Sequence, residues 1–539
     1  MELSDLTKKL IRQYNLAKQQ DGLKTKETTI HVDEVALRVA AFYEQIRTIV
    51  DWKEEHLMRR AAIIRKLKRR FFDLELNNFS DTEDVAESLV LELIRGGHFP
   101  NDRIEESKIS DVQKIINKYI FILKNNPENK AGKAGLNFYN WLIEVSACEI
   151  EETLAPSIKE MALIDYMFES MKGKIKISDA VYKSRDLKPE DADIQIYIAT
   201  CQALFKFDNP IISYNLLRIR YPYWEKANEN LISEISKNIF IIWRQIEKDL
   251  SHPLANKFYT VCEKHDAPYL IMGDVLSLNK ASEIGKEISE PPALEAFIRD
   301  AYSKRLSTLK SRISRAAIYS TISIFLTKIL SLVILEILIE EALGSKINFL
   351  ILAADVLIPT FLMFLIVASV KRPSKKNINI VIMETMKVAY KRAAEDAYEI
   401  KARRKRGVVA KTLLSVLYVL SAFVTFGAIY SVLRLLGFPL TSIIIDIIFI
   451  ALILFAGTAV AKRAQELTME EEKEGFLTFL SDIFFLPIHG LGRWLSHKWK
   501  KYNAVAVFFN ALIDMPFSAM VEFLERWRYF IKERKEDIR

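Results

Sequence analysis

Glycine and proline are scarce in this chain, with 16 and 15 residues among 539. So few turn formers exclude a collagen-like or Pro/Gly-rich disordered chain and disfavour a many-turned β-sandwich or barrel. Cysteine is scarcer still: Cys148, Cys201 and Cys262 are widely spaced and odd in number. They do not suggest a disulfide framework, and they suit a reducing compartment. Phosphate-loop chemistry is missing too. Met171-Lys172-Gly173-Lys174 contains a Gly-Lys step, but no glycine precedes it at loop spacing, and Ile175 stands where a hydroxyl is needed. Neither His-Glu-x-x-His nor Gly-x-Ser-x-Gly occurs. Cys262 and His265 have a metal-like spacing without a second pair. His98 and Asp102 flank Pro100 in a turn-like stretch. No catalytic set, metal site or cofactor is expected from these residues, so an enzyme is not the expected class.

What the chain does have is apolar sequence, and it is unevenly spread. Half the residues are apolar. Before about Lys310 they are mixed with charge; beyond it they form long uninterrupted runs. Four runs are long enough to cross roughly 30 Å of hydrocarbon as helices: Ala316 to Ile339, Ile347 to Val370, Val408 to Leu433 and Pro439 to Val460. Their flanks are asymmetric. Lys304, Arg305, Lys310, Arg312 and Arg315 precede the first run. Lys371, Arg372, Lys375 and Lys376 follow the second, and Lys401, Arg403, Arg404, Lys405 and Arg406 precede the third. Lys462 and Arg463 follow the fourth. The turn Glu340 to Lys346 is net acidic, and Leu436-Gly437-Phe438-Pro439 is uncharged. The positive ends are expected in the cytoplasm, giving two outward hairpins with both termini inside a cell membrane. The polar N-terminus, Met1 to Asp5, lacks the apolar core of a signal peptide and agrees with a cytoplasmic front half. The net charge of +8 fits retained cytosolic Lys and Arg and anionic lipid better than nucleic acid.

The expected fold is therefore all-α in three parts. Residues 1–310 form a cytosolic helical domain. Residues 311–465 hold the four spans, with a basic cytosolic loop at 371–407. Residues 466–539 form an amphipathic tail at the membrane interface. In the first part, Val32 to Phe72 reads as one long helix. Val35, Val39, Phe42, Ile46 and Ile49 make its apolar seam, and it ends in Arg59, Arg60, Arg65, Lys66, Lys68, Arg69 and Arg70, with Asp81, Glu83, Asp84 and Glu87 as nearby counter-charges. Further helices are expected near Asp84–Arg95, Ser110–Lys124, Leu136–Leu154, Pro189–Phe207, Trp224–Leu250 and Ala293–Ser311. No repeat and no alternating strand pattern is visible. In the tail, Gly475 to Leu491 is interrupted by Pro487 and Gly490 and reads as a re-entrant or interfacial helix. Arg493, Trp494, Lys498 and Trp499 have the composition of headgroup-level anchors, with His489 and His497 among them. Asn503 to Phe530 is amphipathic and bends at Pro516.

Four ionisable residues fall inside the spans: Lys328, Glu336, Asp355 and Asp446. Counted from the expected cytoplasmic ends, Lys328, Asp355 and Asp446 lie about 12, 15 and 14 residues deep, a spread of roughly 5 Å. Lys328 is expected to pair with Asp355 or Asp446, either as polar glue for a bundle or as a proton or ion relay. Glu336 is expected nearer the outer face and solvated.

Two stretches near the front, Ala41-Phe42-Tyr43-Glu44-Gln45-Ile46-Arg47 and Asp51-Trp52-Lys53-Glu54-Glu55-His56-Leu57, resemble a polytopic membrane protein family of candidate-phyla bacteria. So do Gly490-Leu491-Gly492-Arg493-Trp494-Leu495-Ser496 and Ile531-Lys532-Glu533-Arg534-Lys535-Glu536. The resemblance implies a bacterial inner membrane. It carries over no activity and no functional residue. Three functional readings follow from the sequence. The first is a membrane-anchored scaffold or adaptor for a cytosolic protein partner or a second copy of itself. The second is a small transporter or channel using Lys328, Asp355 and Asp446, and the third is a membrane-shaping protein acting through its tail.

Overall fold

The computed structural model describes residues 2–22, 28–32, 59–68, 85–126, 132–183, 187–278, 287–342, 348–370, 373–374, 376–390, 397–402, 407–469 and 476–502, and positions 520, 523, 527, 530, 531 and 534. The fold is all-α, and the described residues fall into two compact units. One unit comprises residues 1–298 with 382–403 and 520–539; the other comprises 299–381 with 404–519. The seam from Val35 to Ile49 and the stretch 503–519 lie outside the described residues.

The first unit is a packed set of helices of ordinary amphipathic design. Glu229–Leu250 shows how the sequence makes one. The Asn228 side chain caps it by accepting the Leu231 N–H at 2.9 Å. Ile235, Ile239, Ile242, Trp243 and Ile246 recur at helical spacing and are buried. Trp243 packs edge-on against Phe138 and Phe240, with ring centroids 5.6 and 5.1 Å away. Burying such side chains contributes about 1.5–3 kcal/mol each. Four of the six expected helices match the observed Val85–Arg95, Ser107–Lys124, Lys133–Leu154 and Pro189–Phe205 to within three residues at both ends, and the fifth, Glu229–Leu250, starts five residues after the expected Trp224; the sixth runs on into the apolar region. The break at Phe207-Asp208-Asn209-Pro210 is real. Lys206 adopts a left-handed conformation at φ 51°, and Pro210 sits in the first turn of Asn209–Arg220.

The long helix expected from Val32 is corrected at its start. Val32 is buried and non-helical; its N–H donates to Asn101 Oδ1 and its carbonyl accepts from Asn101 Nδ2, both at 2.9 Å. The amide side chain thus supplies both partners that a neighbouring strand would supply. Residues 59–68 are helical. The basic run there is partly interior. Arg60 is 1% exposed and lies 3.0 Å from Asp208, and Lys66 pairs with Glu92 at 2.6 Å. The described partners thus include Asp208, Glu92 and Glu151, the last 3.9 Å from Arg59, while Asp81, Glu83 and Asp84 lie outside the described residues.

The centre of this unit contains a buried ion pair. Lys118 Nζ donates to Glu149 Oε1 at 2.5 Å and to the Trp224 carbonyl at 3.1 Å. Glu149 Oε2 accepts from Tyr119 Oη at 2.8 Å and Trp224 Nε1 at 2.9 Å. One positive charge meets one negative charge, and both carboxylate oxygens are satisfied.

The basic loop expected at 371–407 is corrected in its second half, because 382–403 is part of the helical unit. Tyr398–Ile400 pairs in parallel with Ile175–Ile177, Tyr398 opposite Ile175 and Ile400 opposite Ile177. The Ala389 carbonyl accepts from Ser4 N and Thr7 Oγ1, and the Val388 carbonyl accepts from Tyr166 Oη. Tyr390 Oη donates to the Ile288 carbonyl at 2.7 Å. Strands of three residues are too short to show an alternating pattern, so apolar periodicity does not reveal them.

The second unit carries four helices long and apolar enough to span a membrane: Pro291–Ile339, Phe349–Ala368, Val408–Leu435 and Leu440–Ala464. The third of them has inverted polarity. Its buried residues are Ser421, Thr425 and Leu433, while Leu413, Val416, Leu420, Phe423 and Val424 are exposed. In water this arrangement would expose apolar surface and bury hydroxyls. With hydrocarbon as the solvent it is favourable, because interhelical hydroxyls bond and the apolar face meets lipid. The chain is read as a membrane protein on this ground.

Candidate functional site

The apolar helices bring the sequence-predicted charges together. Lys328 Nζ lies 2.8 Å from Asp355 Oδ2, 3.0 Å from Asp446 Oδ1 and 2.8 Å from Glu336 Oε1. The expected pairing with either aspartate is found with both. All four residues are buried, at 0–1% exposure. The Phe449 ring centroid is 5.3 Å from the ammonium and closes one side.

Backbone position explains the convergence. Glu336 lies six residues before Ala342, Asp355 six after Phe349, and Asp446 six after Leu440. Each is about 9 Å inside its helix end. The three carboxylates therefore lie at one level, near the ends where the hairpins turn. Lys328 starts deeper, and its long stem brings the ammonium to that level.

The expectation of a solvated Glu336 is corrected. It is fully buried, gives Oε1 to Lys328 and accepts the Ser442 hydroxyl on Oε2 at 2.7 Å. The reason is a change of helical pitch that apolar periodicity does not reveal. Eight residues of ideal α-helix rotate about 800°, which would leave Glu336 about 80° off the Lys328 face. Leu332–Glu336 is π-helical. Its wider turn rotates less per residue and returns Glu336 to that face.

The two satisfaction patterns differ within the cluster. Both Glu336 oxygens have partners. Asp355 Oδ1 and Oδ2 and Asp446 Oδ1 are buried without a hydrogen bond, although Asp355 Oδ2 and Asp446 Oδ1 sit at ion-pair distance from Lys328. Among the described residues, no group of three or more His, Cys, Asp and Glu is arranged to hold a metal ion. Cys262 is buried, and the His265 ring instead stacks on Tyr398, with centroids 4.2 Å apart. Asp102 pairs with His31 at 2.9 Å, both exposed.

At the opposite ends of the helices lies a second polar contact that no sequence signal marks. Asn377 is fully buried; its Nδ2 donates to Tyr302 Oη at 3.0 Å and to the Leu467 carbonyl at 2.6 Å, and its Oδ1 accepts from Met469 N at 2.8 Å. Arg305 pairs with Glu466 beside it at 2.5 Å. In sequence Asn377 is an ordinary loop residue, because nothing local points to its three partners.

The interruption expected at Pro487 and Gly490 is corrected: the segment is one helix, Phe476–Tyr502. Proline removes the N–H that would bond the Ile483 carbonyl and loosens the next bond, to the Phe484 carbonyl. The third apolar helix supplies replacements: Ser421 Oγ donates to Ile483 O at 2.6 Å and Thr425 Oγ1 to Phe484 O at 3.0 Å. This is how a proline is accommodated in a membrane helix. Ser421 and Thr425 lie about 20 and 26 Å along a helix of about 42 Å that begins at Val408. The apolar part of 476–502 therefore packs on the middle of a spanning helix. Glycine serves close approach here and not a break. A Cβ at Gly492 would lie 2.0 Å from the Ala451 carbonyl oxygen, and one at Gly490 would lie 2.8 Å from Tyr418 Oη. His489 Nε2 is 2.8 Å from Thr458 Oγ1, and its ring packs on Phe455. Arg493 and Trp494 follow and are exposed, Trp494 at 57%. Lys498 and Trp499 belong to the same helix, with side chains outside the described residues.

Comparison with known proteins leaves the geometry to stand alone: no family model, curated protein or solved structure matches this chain.

Proposed function

We propose that this protein is a membrane-anchored scaffold or adaptor whose helical unit is the interaction module. The observation that carries the proposal is the incorporation of 382–403 into that unit. The helical unit is continuous with the apolar helices both before the first and between the second and third. Such a module is joined to the apolar helices at several points along the chain and not by one tether, which suits an interaction module kept at a membrane. The same observation supports the hairpin topology. Residues 1–298 and 382–403 fold together, so the first two spans leave and return to one side. The clustered Lys and Arg favour the cytoplasm as that side, and the resemblance favours a bacterial inner membrane. Anionic headgroups suit Arg493, Trp494, Lys498 and Trp499.

The test is crosslinking in intact cells, followed by purification from native membranes. A partner or second copy crosslinked through the helical unit is the expected result. A full-length protein that captures nothing reproducible speaks against the scaffold reading.

One observation favours a second reading, a small proton- or ion-coupled carrier: the Lys328 cluster is costly to bury and lies on three different helical segments. Flux in proteoliposomes that is lost in Asp355→Asn would move the assignment to this reading.

A further inference from the structure

The charges in the Lys328 cluster do not balance. One ammonium faces three carboxyl groups: Glu336 on its own helix, Asp355 on the second apolar helix and Asp446 on the fourth. If every group were ionised, the site would carry two uncompensated negative charges at 0–1% exposure. Other described groups around it are neutral: the Ser442 hydroxyl and the Phe449 ring. The third apolar helix has its cations, Lys411 and Arg434, near its two ends, and Arg434 Nη1 points to the Phe438 carbonyl at 3.4 Å. A low-dielectric interior does not hold two bare negative charges; the groups neutralise instead.

The hydrogen-bond pattern identifies which groups are neutralised. Lys328 has three carboxyl oxygens within 3.0 Å, one of them hydrogen-bonded, so the ammonium is surrounded by negative groups and stays charged. Glu336 has a donor for each oxygen, Lys328 on Oε1 and Ser442 on Oε2. Those bonds suit an ionised carboxylate. Asp355 has no hydrogen bond on either oxygen, and Asp446 has none on Oδ1. Both aspartates contact the same ammonium and are therefore neighbours. A water molecule would satisfy an oxygen without removing a charge. A metal cation would have to share the site with the ammonium, and these side chains are not arranged to ligate one. One proton removes one of the two surplus negative charges and supplies the missing donor.

We propose that the Asp355–Asp446 pair is a proton-binding site that holds a proton at neutral pH. Two like carboxyls at one site cannot both ionise cheaply, so the first proton is retained by the pair and not by either residue alone. Lys328 and Glu336 form the balanced ion pair, and the aspartates form an acid–carboxylate pair beside it. The site thus exchanges a proton with solvent whenever the helices admit water, and its charge state changes with that exchange.

The experiment is infrared spectroscopy of the full-length protein in lipid at neutral pH, reading the carbonyl stretch of protonated carboxylic acids. The wild type should show this band. Aspartate labelled with heavy carbon at its side-chain carboxyl should shift a component of it, and labelled glutamate should leave that component in place, because Glu151 can add a glutamate component of its own. Asp355→Asn and Asp446→Asn should each abolish that aspartate component, since a neutral amide then takes the place of the neutral acid. Absence of the band in the wild type overturns the proposal, as does a band that moves only with glutamate labelling. The labelling arm uses unaltered protein, so it decides the question even where a variant fails to assemble.

Discussion

Each unit of this protein buries a lysine among carboxyl groups, and the two sites differ in balance. In the helical unit Lys118 forms an ion pair with one carboxylate among the described residues, Glu149, and Tyr119 and Trp224 satisfy the remaining oxygen. Among the apolar helices Lys328 meets Glu336, Asp355 and Asp446, and aspartate oxygens are left without hydrogen bonds. A balanced, saturated pair has a single low-energy arrangement and serves packing. An unbalanced set has more than one charge state available, and its occupancy depends on surroundings. A buried lysine thus does not by itself mark a functional site; the surplus of acid around it is what distinguishes the two.

The largest expected effect breaks the unbalanced cluster. Lys328→Met would leave three buried carboxyls with no cation. It should cost about 5 kcal/mol or more, given about 3–5 kcal/mol for breaking an ordinary buried pair. Protein level in membranes and thermal unfolding in detergent measure it. Wild-type stability in this variant would show that the ammonium is not what holds the carboxyls together.

The matching substitution, Lys118→Met, should cost less, about 3 kcal/mol, at the low end for a broken pair. Glu149 keeps two donors there, Tyr119 Oη and Trp224 Nε1. If Lys118→Met proved the more damaging of the two, donor saturation would not be what sets the cost.

How much of this is legible in the sequence depends on the range of the signal. The four apolar helices are legible with ends within about five residues, apart from the first, which continues back to Pro291. Twenty apolar residues in a row are a local signal. The Lys328–Asp355–Asp446 convergence is legible because depth along a helix can be counted. Glu336 escapes that count because a π turn changes rotation without changing apolar content. The incorporation of 382–403 is hidden because its partners, Thr7, Tyr166 and Ile175, are more than 200 residues away. Pro487 and Gly490 mislead for a related reason. In isolation they break a helix, and the groups that accommodate them, Ser421, Thr425 and Tyr418, come from another one.

Burial also outweighs opposite charge at one carboxyl of the helical unit, Glu151, and it predicts a pH dependence. Burial pushes the Glu151 carboxyl up to about 7, against the opposing pull of Arg60 and Arg59. Burial raises Glu144 and Glu152 on the same helix in the same direction. A folded state with a raised carboxyl binds its proton more tightly than the unfolded chain does. The associated stability is fully present below the ordinary carboxylate range. It falls as pH rises through that range to about 7 and is then lost. For Glu151 the effect is at most about 3 kcal/mol. The unfolding midpoint of the helical unit should therefore drop between mildly acidic and mildly alkaline pH. A flat profile would place Glu151 in contact with water and remove it from the comparison.

The smallest effects give the finest comparison, because each removes one neutral donor from a buried carboxylate. Tyr119→Phe takes one of two donors from Glu149 Oε2 and leaves Trp224 Nε1 in place. Ser442→Ala takes the hydroxyl from Glu336 Oε2, where no other donor is seen among the described residues. Losing a bond while the acceptor stays satisfied costs about 1 kcal/mol, whereas leaving a buried acceptor bare costs about 1–3 kcal/mol. Ser442→Ala should therefore cost about 2 kcal/mol and Tyr119→Phe about 1 kcal/mol. Both are read as shifts in unfolding midpoint of the same full-length protein in the same detergent. The order matters more than the sizes. Saturation predicts that the membrane cluster is the more sensitive to a lost hydroxyl, although serine contributes far less packing than tyrosine. Were Tyr119→Phe the costlier change, hydrogen-bond redundancy would have to give way to packing as the account of how the two sites differ.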